Sequence, residues 1–355
     1  MPERFGQLAL ERLPPLISFM AYAQLSSPIA PAKNLSELLT EWKPQLQQLE
    51  TQILSGMRSD IPLLTSVAEH ILSSGGKRLR PALVFLSGAL GSAHSEDLLV
   101  AAQVVEYLHT ATLLHDDVVD QADLRRQQAA ARTIWGNEAS VLTGDYLLSM
   151  AFHQLTGLGN LELLKLMSDT TTRMARGELL QLTRSFNSAN EQEYLEIITN
   201  KTACLFAAAT QMGGILAGLP VNQTKALYDY GMQIGLAFQI VDDVLDYNDS
   251  NRTGKPVGTD LQERKITLPL SHLLDKASPR DHQRIKQILT ATTIITMDDV
   301  VHVIRLMERY QSLHYALESG RQFVAQAQRN LQSLPNNQIR NTLEQIAGFI
   351  VQRDL

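Results

Sequence analysis

The sequence predicts an all-α fold, one large helical bundle, and three observations carry that prediction. Apolar residues recur at helical spacing along most of the chain, and alternating strand patterns are almost absent. Hydrophobic residues make up 44% of 355 positions, enough for one sizeable core. The breaks are short clusters of Gly, Pro and Asn, and no long linker or low-complexity tract divides the chain.

Taken in order, residues 1–33 are expected to form a flexible extension ahead of a domain spanning 34–355. PLISFMAYAQL is apolar, but Pro14-Pro15 interrupts it and Glu3, Arg4, Glu11 and Arg12 cancel, so it does not read as a signal peptide. Met20 is an alternative start. NLSELLTEWKPQLQQLETQIL, from Asn34, repeats apolar residues at helical spacing. Asp97 to Val119 is a long helix, apolar around most of its circumference, which places it inside a bundle. Further helices are expected at about 138–157, 160–186, 190–212, 222–247, 266–275, 280–290, 298–333 and 337–352. They part at Gly157 to Asn160, Gly218-Leu219-Pro220 and Pro335-Asn336-Asn337. Asn248 to Lys265 is the most polar loop.

Bulk properties exclude several roles. A net charge of −6 argues against nucleic-acid binding by overall charge. One cysteine, Cys204, rules out an intrachain disulfide and fits a reducing cytoplasm; within KTACLFAAAT it reads as a small packing residue. The most apolar stretch, Cys204 to Leu219, falls short of the ~20 residues a membrane span needs.

Chemistry gathers in two acidic motifs. In LLHDDVVDQADLRR, Asp116 and Asp120 are one helical turn apart on one face, with Asp117 beside them. FQIVDDVLD repeats the pattern much later in the chain as Asp242, Asp243 and Asp246, hence on a second helix. One such motif reads as a solvated face. Two copies inside apolar helices read as carboxylates that share hard cations, magnesium above all, with phosphate completing the shell. The His115-Asp116 pair lacks the further histidines that a metal phosphohydrolase would need. GGKRLRP supplies Lys77, Arg78 and Arg80 beside two glycines and a helix start, a pattern suited to an anion. Arg125 and Arg126 add two cations, and Lys201, Lys255 and Lys265 are further candidates. His109 lies two turns before Asp116 on the same face, where it is either a core histidine or a ligand.

GGKRLRP, HTATLLHDDVVDQADLRR, NKTACLF, FQIVDDVLD and GKPVGTDLQERKITLPL resemble, in order, the motifs of the trans-isoprenyl diphosphate synthases, most closely the long-chain bacterial branch. The resemblance runs from about residue 35 to the C-terminus. It implies a bundle around a deep apolar cavity, usually a homodimer, that joins isopentenyl diphosphate to an allylic diphosphate such as farnesyl diphosphate. It also implies magnesium, about three ions per site, on Asp116, Asp120 and Asp242, with Asp117, Asp243 and Asp246 in support. It gives Arg125, Lys201, Gln239, Lys265 and, on closure of the 248–265 loop, Lys255 to the allylic diphosphate. Lys77, Arg80, His109 and Arg126 go to isopentenyl diphosphate, and Thr202 and Gln239 to dipoles near the carbocation.

The growing tail is expected to follow the first-motif helix, about 5.4 Å per turn. A bulky aromatic one turn before the first Asp shortens family products. Here Leu108, Ala111 and Thr112 occupy that path, which implies a product of roughly C30 to C50, near C40. Quinone side chains are the expected use, with peripheral membrane contact for release of so apolar a product. Three positions depart from the family pattern: Gln121 for Glu, Gln127 for Gly and Arg264 for Gly. The alternatives are a class I terpene cyclase, which would not need the basic second site, and a non-catalytic subunit, which would lack some of the six acids.

Overall fold

The structure, a computed structural model, describes residues 34–58, 60–73, 75–126, 128–183, 190–248 and 257–352. Its longer helices are α1 (Lys43–Met57), α2 (Pro62–Ser73), α3 (Leu79–Gly88), α4 (Ser95–Val119), α5 (Ala131–Gly157), α6 (Leu161–Thr183) and α7 (Glu191–Ile198). They continue as α8 (Cys204–Leu216), α9 (Val221–Leu245), α10 (Leu268–Lys276), α11 (Pro279–Thr290), α12 (Met297–Arg309), α13 (Ser312–Asn330) and α14 (Gln338–Gln352). The only strands among the described residues form a two-stranded ribbon, Leu124–Arg125 against Gln128–Ala129. The expected all-α bundle is what the chain forms, and no described helix is long and apolar enough to cross a membrane.

Helix α8 explains how the layers close up. It is rich in Ala and Gly and packs against α3, α4, α6 and α9. A β-carbon on Gly213 would lie 2.4 Å from the Val84 carbonyl oxygen, and one on Gly231 of α9 would lie 2.6 Å from the Ala207 Cα. Small residues thus bring three helices to backbone contact, and they place the C-terminal ends of α4 and α9 around one region. Acidic residues in its first turn, Glu96 and Asp97, favour α4 through the helix dipole. Its buried residues include Leu98, Ala101, Val104, Val105, Leu108 and Ala111, on several faces, as an interior helix requires. The second core layer joins α9, α13 and α14, where the Tyr230 hydroxyl donates to the Leu343 carbonyl at 2.7 Å.

Several expected elements are corrected. The expected 190–212 helix is interrupted by a π-helical turn at Thr199–Ala203. The 298–333 helix is two helices, parted where Gln311 takes φ 57°. The first helix is broken into a short turn, Leu35–Leu38, a 3-10 turn at Thr40–Trp42, and α1. Helices α2 and α3 escaped the periodicity reading; α3 is apolar on all sides, so it has no polar face to mark its period. Helix α5 begins seven residues earlier than its regular pattern because Gly136 (φ 88°, ψ 167°) kinks it.

Candidate active site

The two acidic motifs end the two 25-residue helices, α4 and α9. Asp120 caps α4, and Asp246 caps α9. Between them stands the π turn, which presents Lys201 and Thr202; α6 approaches it so closely that a β-carbon on Gly177 would lie 2.5 Å from the Lys201 nitrogen. Insertions of this kind re-aim side chains that a regular helix would point elsewhere.

Two of the predicted lysines, Lys201 and Lys265, meet the first motif. Lys201 Nζ lies 3.7 Å from Asp116 and 2.5 Å from Glu178. Lys265 Nζ reaches Asp120 at 2.8 Å across 145 positions of sequence, and Glu263 at 2.8 Å. Burial, with Glu178 and Asp120 adding like charge, pushes the Asp116 carboxyl up to about 6 against the pull of Lys201 and Arg125. Burial alone would lower Lys265, but Asp120 and Glu263 hold it above its ordinary value.

The remaining acids are committed in different ways. Asp117 is buried and pairs with Arg125, whose Nε donates to it at 2.6 Å. Both oxygens of Asp243 are occupied: Tyr194 donates to one at 2.6 Å and Gln239 to the other at 2.8 Å. Thr202 in turn donates to Gln239 at 2.9 Å, which makes a four-residue chain from the π turn to Tyr194. Burial, then Asp260, holds the Asp243 carboxyl well above the usual carboxylate range. Asp246 accepts from the Asp260 backbone N–H at 2.9 Å. Asp242 is exposed at the site, and its charge acts on Arg80.

The basic residues form a second group alongside. Arg80 packs over the Phe206 ring at 4.2 Å, and its Nη1 lies 3.2 Å from His109 Nε2. Burial lowers Arg80 to about 10. Burial and the neighbouring Arg80 and Arg126 drive His109 well below 6.5, so it is neutral. A guanidinium only donates, so His109 Nε2 accepts and its proton sits on Nδ1. Arg78, in left-handed conformation (φ 44°), is held by Glu50 at 3.2 Å and by buried Glu106. Arg126 stacks over Gly76, where a β-carbon would meet its guanidinium at 2.9 Å. His109, Arg125, Arg126, Asp117 and Glu106 line one narrow cleft. Lys77 points elsewhere, over Phe349 at 5.7 Å on a separate groove. Leu108 and Ala111 are buried in α4, and the Thr112 hydroxyl donates to the His109 carbonyl at 2.8 Å.

Lys255 and Gln127 lie outside the described residues, as do residues 1–33 and the middle of the polar loop. Glu178, Glu106, Tyr194 and Phe206 are site residues that the sequence reading missed. Each belongs to a helix whose apolar spacing hid it, and only Glu178, in the polar run RGELLQL, carried any local signal.

Among the described residues no three acids or imidazoles converge tightly enough to hold an ion unaided. The donor set still fits a hard divalent ion. Asp116 and Asp120 crowd like charge that such an ion relieves, and magnesium keeps waters and takes substrate phosphates for the rest of its shell.

Comparison with known proteins agrees with this geometry. The sequence pattern of the polyprenyl synthetase family matches residues 61–307. The octaprenyl diphosphate synthase of Escherichia coli is 39% identical over 331 residues, 90% of this chain and 99% of that one. A polyprenyl synthase from Caulobacter crescentus, crystallised with calcium and isoprenyl diphosphate, superposes with TM-score 0.88 at 36% identity, over 92% of this chain and 100% of its own. A decaprenyl diphosphate synthase from Rhodobacter capsulatus gives 0.85 at 35%, over 90% and 99%.

Proposed function

The chain belongs to the polyprenyl synthetase family and is a polyprenyl diphosphate synthase, a prenyltransferase; from that premise we propose that it extends an allylic diphosphate with successive isopentenyl diphosphate units to an all-trans chain of roughly C30 to C50, near C40. The observation that carries the reading is Lys265 reaching Asp120, because it joins the second-motif segment to the first across 145 positions of sequence.

In this mechanism Asp116, Asp120 and Asp242 would hold magnesium, which would supply neutralising charge for the departing diphosphate. Lys201 and Lys265 face the same acids and bind the allylic diphosphate oxygens, joined by Arg125, which Asp117 orients, and by Lys255. Asp243 acts at one remove: it fixes Gln239, and through it Thr202, whose dipoles face the allylic cation. Asp246 shapes the loop that follows. Arg80, His109 and Arg126 hold isopentenyl diphosphate, and Lys77 would join them only by swinging away from Phe349. His109 accepts from Arg80 through Nε2 and so presents its Nδ1 N–H as a donor, and the released diphosphate serves as the base. Water is kept out to protect the cation.

The tail runs along α4 past Leu108 and Ala111, buried residues of that helix without the bulky aromatic that would block it. Residues 34–355 form the catalytic domain and residues 1–33 an extension. The chain works as a homodimer in the cytoplasm, touches membrane lipid on release, and supplies quinone side chains. Exposed Ile134 and Leu142 of α5 with Leu179 and Leu182 of α6 support the dimer. Incubation with magnesium, farnesyl diphosphate and labelled isopentenyl diphosphate tests the reaction. Chromatography should reveal lengthened diphosphates ending near C40, about one five-carbon unit per helical turn of open path. A hydrocarbon product or no incorporation would refute it.

A further inference from the structure

The turn that delivers Lys265 is built with an unusual residue. After the short helix Thr259–Gln262, the Lys265 N–H donates to the Asp260 carbonyl at 2.8 Å and the Arg264 N–H to the Leu261 carbonyl at 3.0 Å. This is the Schellman pattern, which puts the residue after the cap in the left-handed region, where glycine is the usual occupant. Here that residue is Arg264, with φ 58°. Its β-carbon makes the turn less favourable than glycine would.

The side chain compensates at a distance. Arg264 Nε donates to the Leu289 carbonyl at 3.1 Å, and Nη2 donates to the carbonyls of Ala291 at 2.7 Å and Thr293 at 2.9 Å. These oxygens lie at and just beyond the C-terminus of α11. The carbonyls there lack intrahelical partners, and the helix end carries partial negative charge. A planar guanidinium satisfies three of them at once from a fixed fork, whereas an ammonium would have to reach all three from a single nitrogen. Both neighbours of Arg264 turn the other way: Glu263 and Lys265 pair with each other, and Lys265 reaches Asp120. One side of the turn is therefore bolted to α11 while the other faces the acids of α4.

We propose that Arg264 is a positioning residue for prenyl transfer: its clamp on the C-terminus of α11 fixes the turn that aims Lys265 at the allylic diphosphate. The proposal rests on the reading of Lys265 as a diphosphate ligand, and it assigns a purpose to a position where the family pattern has glycine.

Steady-state kinetics of the full chain test it through Arg264→Gly, Lys265→Ala and the double variant, with Tm measured for each. Arg264→Gly keeps the left-handed turn and removes only the clamp. It should raise KM for the allylic diphosphate about tenfold and leave KM for isopentenyl diphosphate within about twofold, and it should add nothing in the Lys265→Ala background, because it acts through that lysine. Arg264→Lys retains a cation at the helix end without the fork and should fall between wild type and glycine; it decides the matter if the glycine variant loses Tm. An unchanged allylic KM in Arg264→Gly, an effect that adds in full to that of Lys265→Ala, or a lysine variant no better than glycine overturns the proposal while the reading of Lys265 stands. If Lys265→Ala alone leaves the allylic KM unchanged, that reading falls and takes the proposal with it.

Discussion

Asp116 and Asp242 are asked to do the same work from two helices, and each is irreplaceable by a neutral isostere if the charge is what matters. Asp116→Asn and Asp242→Asn should each lower kcat by about 10²-fold or more, with Tm held or raised, since removing Asp116 also relieves its crowding by Glu178 and Asp120. A loss of less than tenfold would mean the acids are structural. Cys204 gives a contrasting case. It is fully buried, its thiol bonds to the Asn200 carbonyl at 2.8 Å, and burial raises it to about 11. A raised folded value means that the stability it contributes is intact below the unfolded pKa and is lost as pH climbs through the folded one. Between pH 9 and about 11 the wild type should therefore lose about 2–3 kcal/mol that Cys204→Ala does not lose. Urea midpoints of the two proteins across that range measure the difference. At this scale the acids and cations were legible in the sequence, because charge inside an apolar helix is a local anomaly. Their pairings were not: nothing near Asp117 says that Arg125 pairs with it, and nothing near Lys201 says that Glu178 does.

At the level of the element, α4 combines two functions on one rod. Its C-terminal turn carries Asp116 and Asp120, and the turns before it line the expected tail path. Ala111→Tyr should cut the product to roughly C15–C20, a loss of several helical turns of path. Chromatography of the extracted diphosphates reads this out, and an unchanged product would place the tail elsewhere. Such overpacking in a buried site should also cost about 1–3 kcal/mol, so a folded fraction is measured alongside. Helix boundaries were legible where Gly and Pro punctuate the chain, as at Gly218 and Pro220. They were illegible at Thr199–Ala203, because a π turn leaves the apolar spacing nearly intact while adding one residue to the turn. Helix α3 was missed for the opposite reason, as burial on every side erases the periodicity that marks a helix.

For the whole molecule, the exposed apolar residues of α5 and α6 should be covered in a dimer. Leu142→Glu, at a position 66% exposed in one chain, should shift the protein to monomer in sedimentation without unfolding it. A variant that remains dimeric would put the interface on another face. The sequence by itself determined the fold class, the family motifs and which side chains carry charge, because helical period, breakers and isolated acids are properties of adjacent residues. Only the tertiary structure decided that Lys265 meets Asp120, that Asp243 turns toward Tyr194 and Gln239, and that Arg264 grips the end of α11. Those pairings join residues far apart in the chain. They follow from how closely Ala- and Gly-rich helices can pack, and spacing along a sequence does not record that distance.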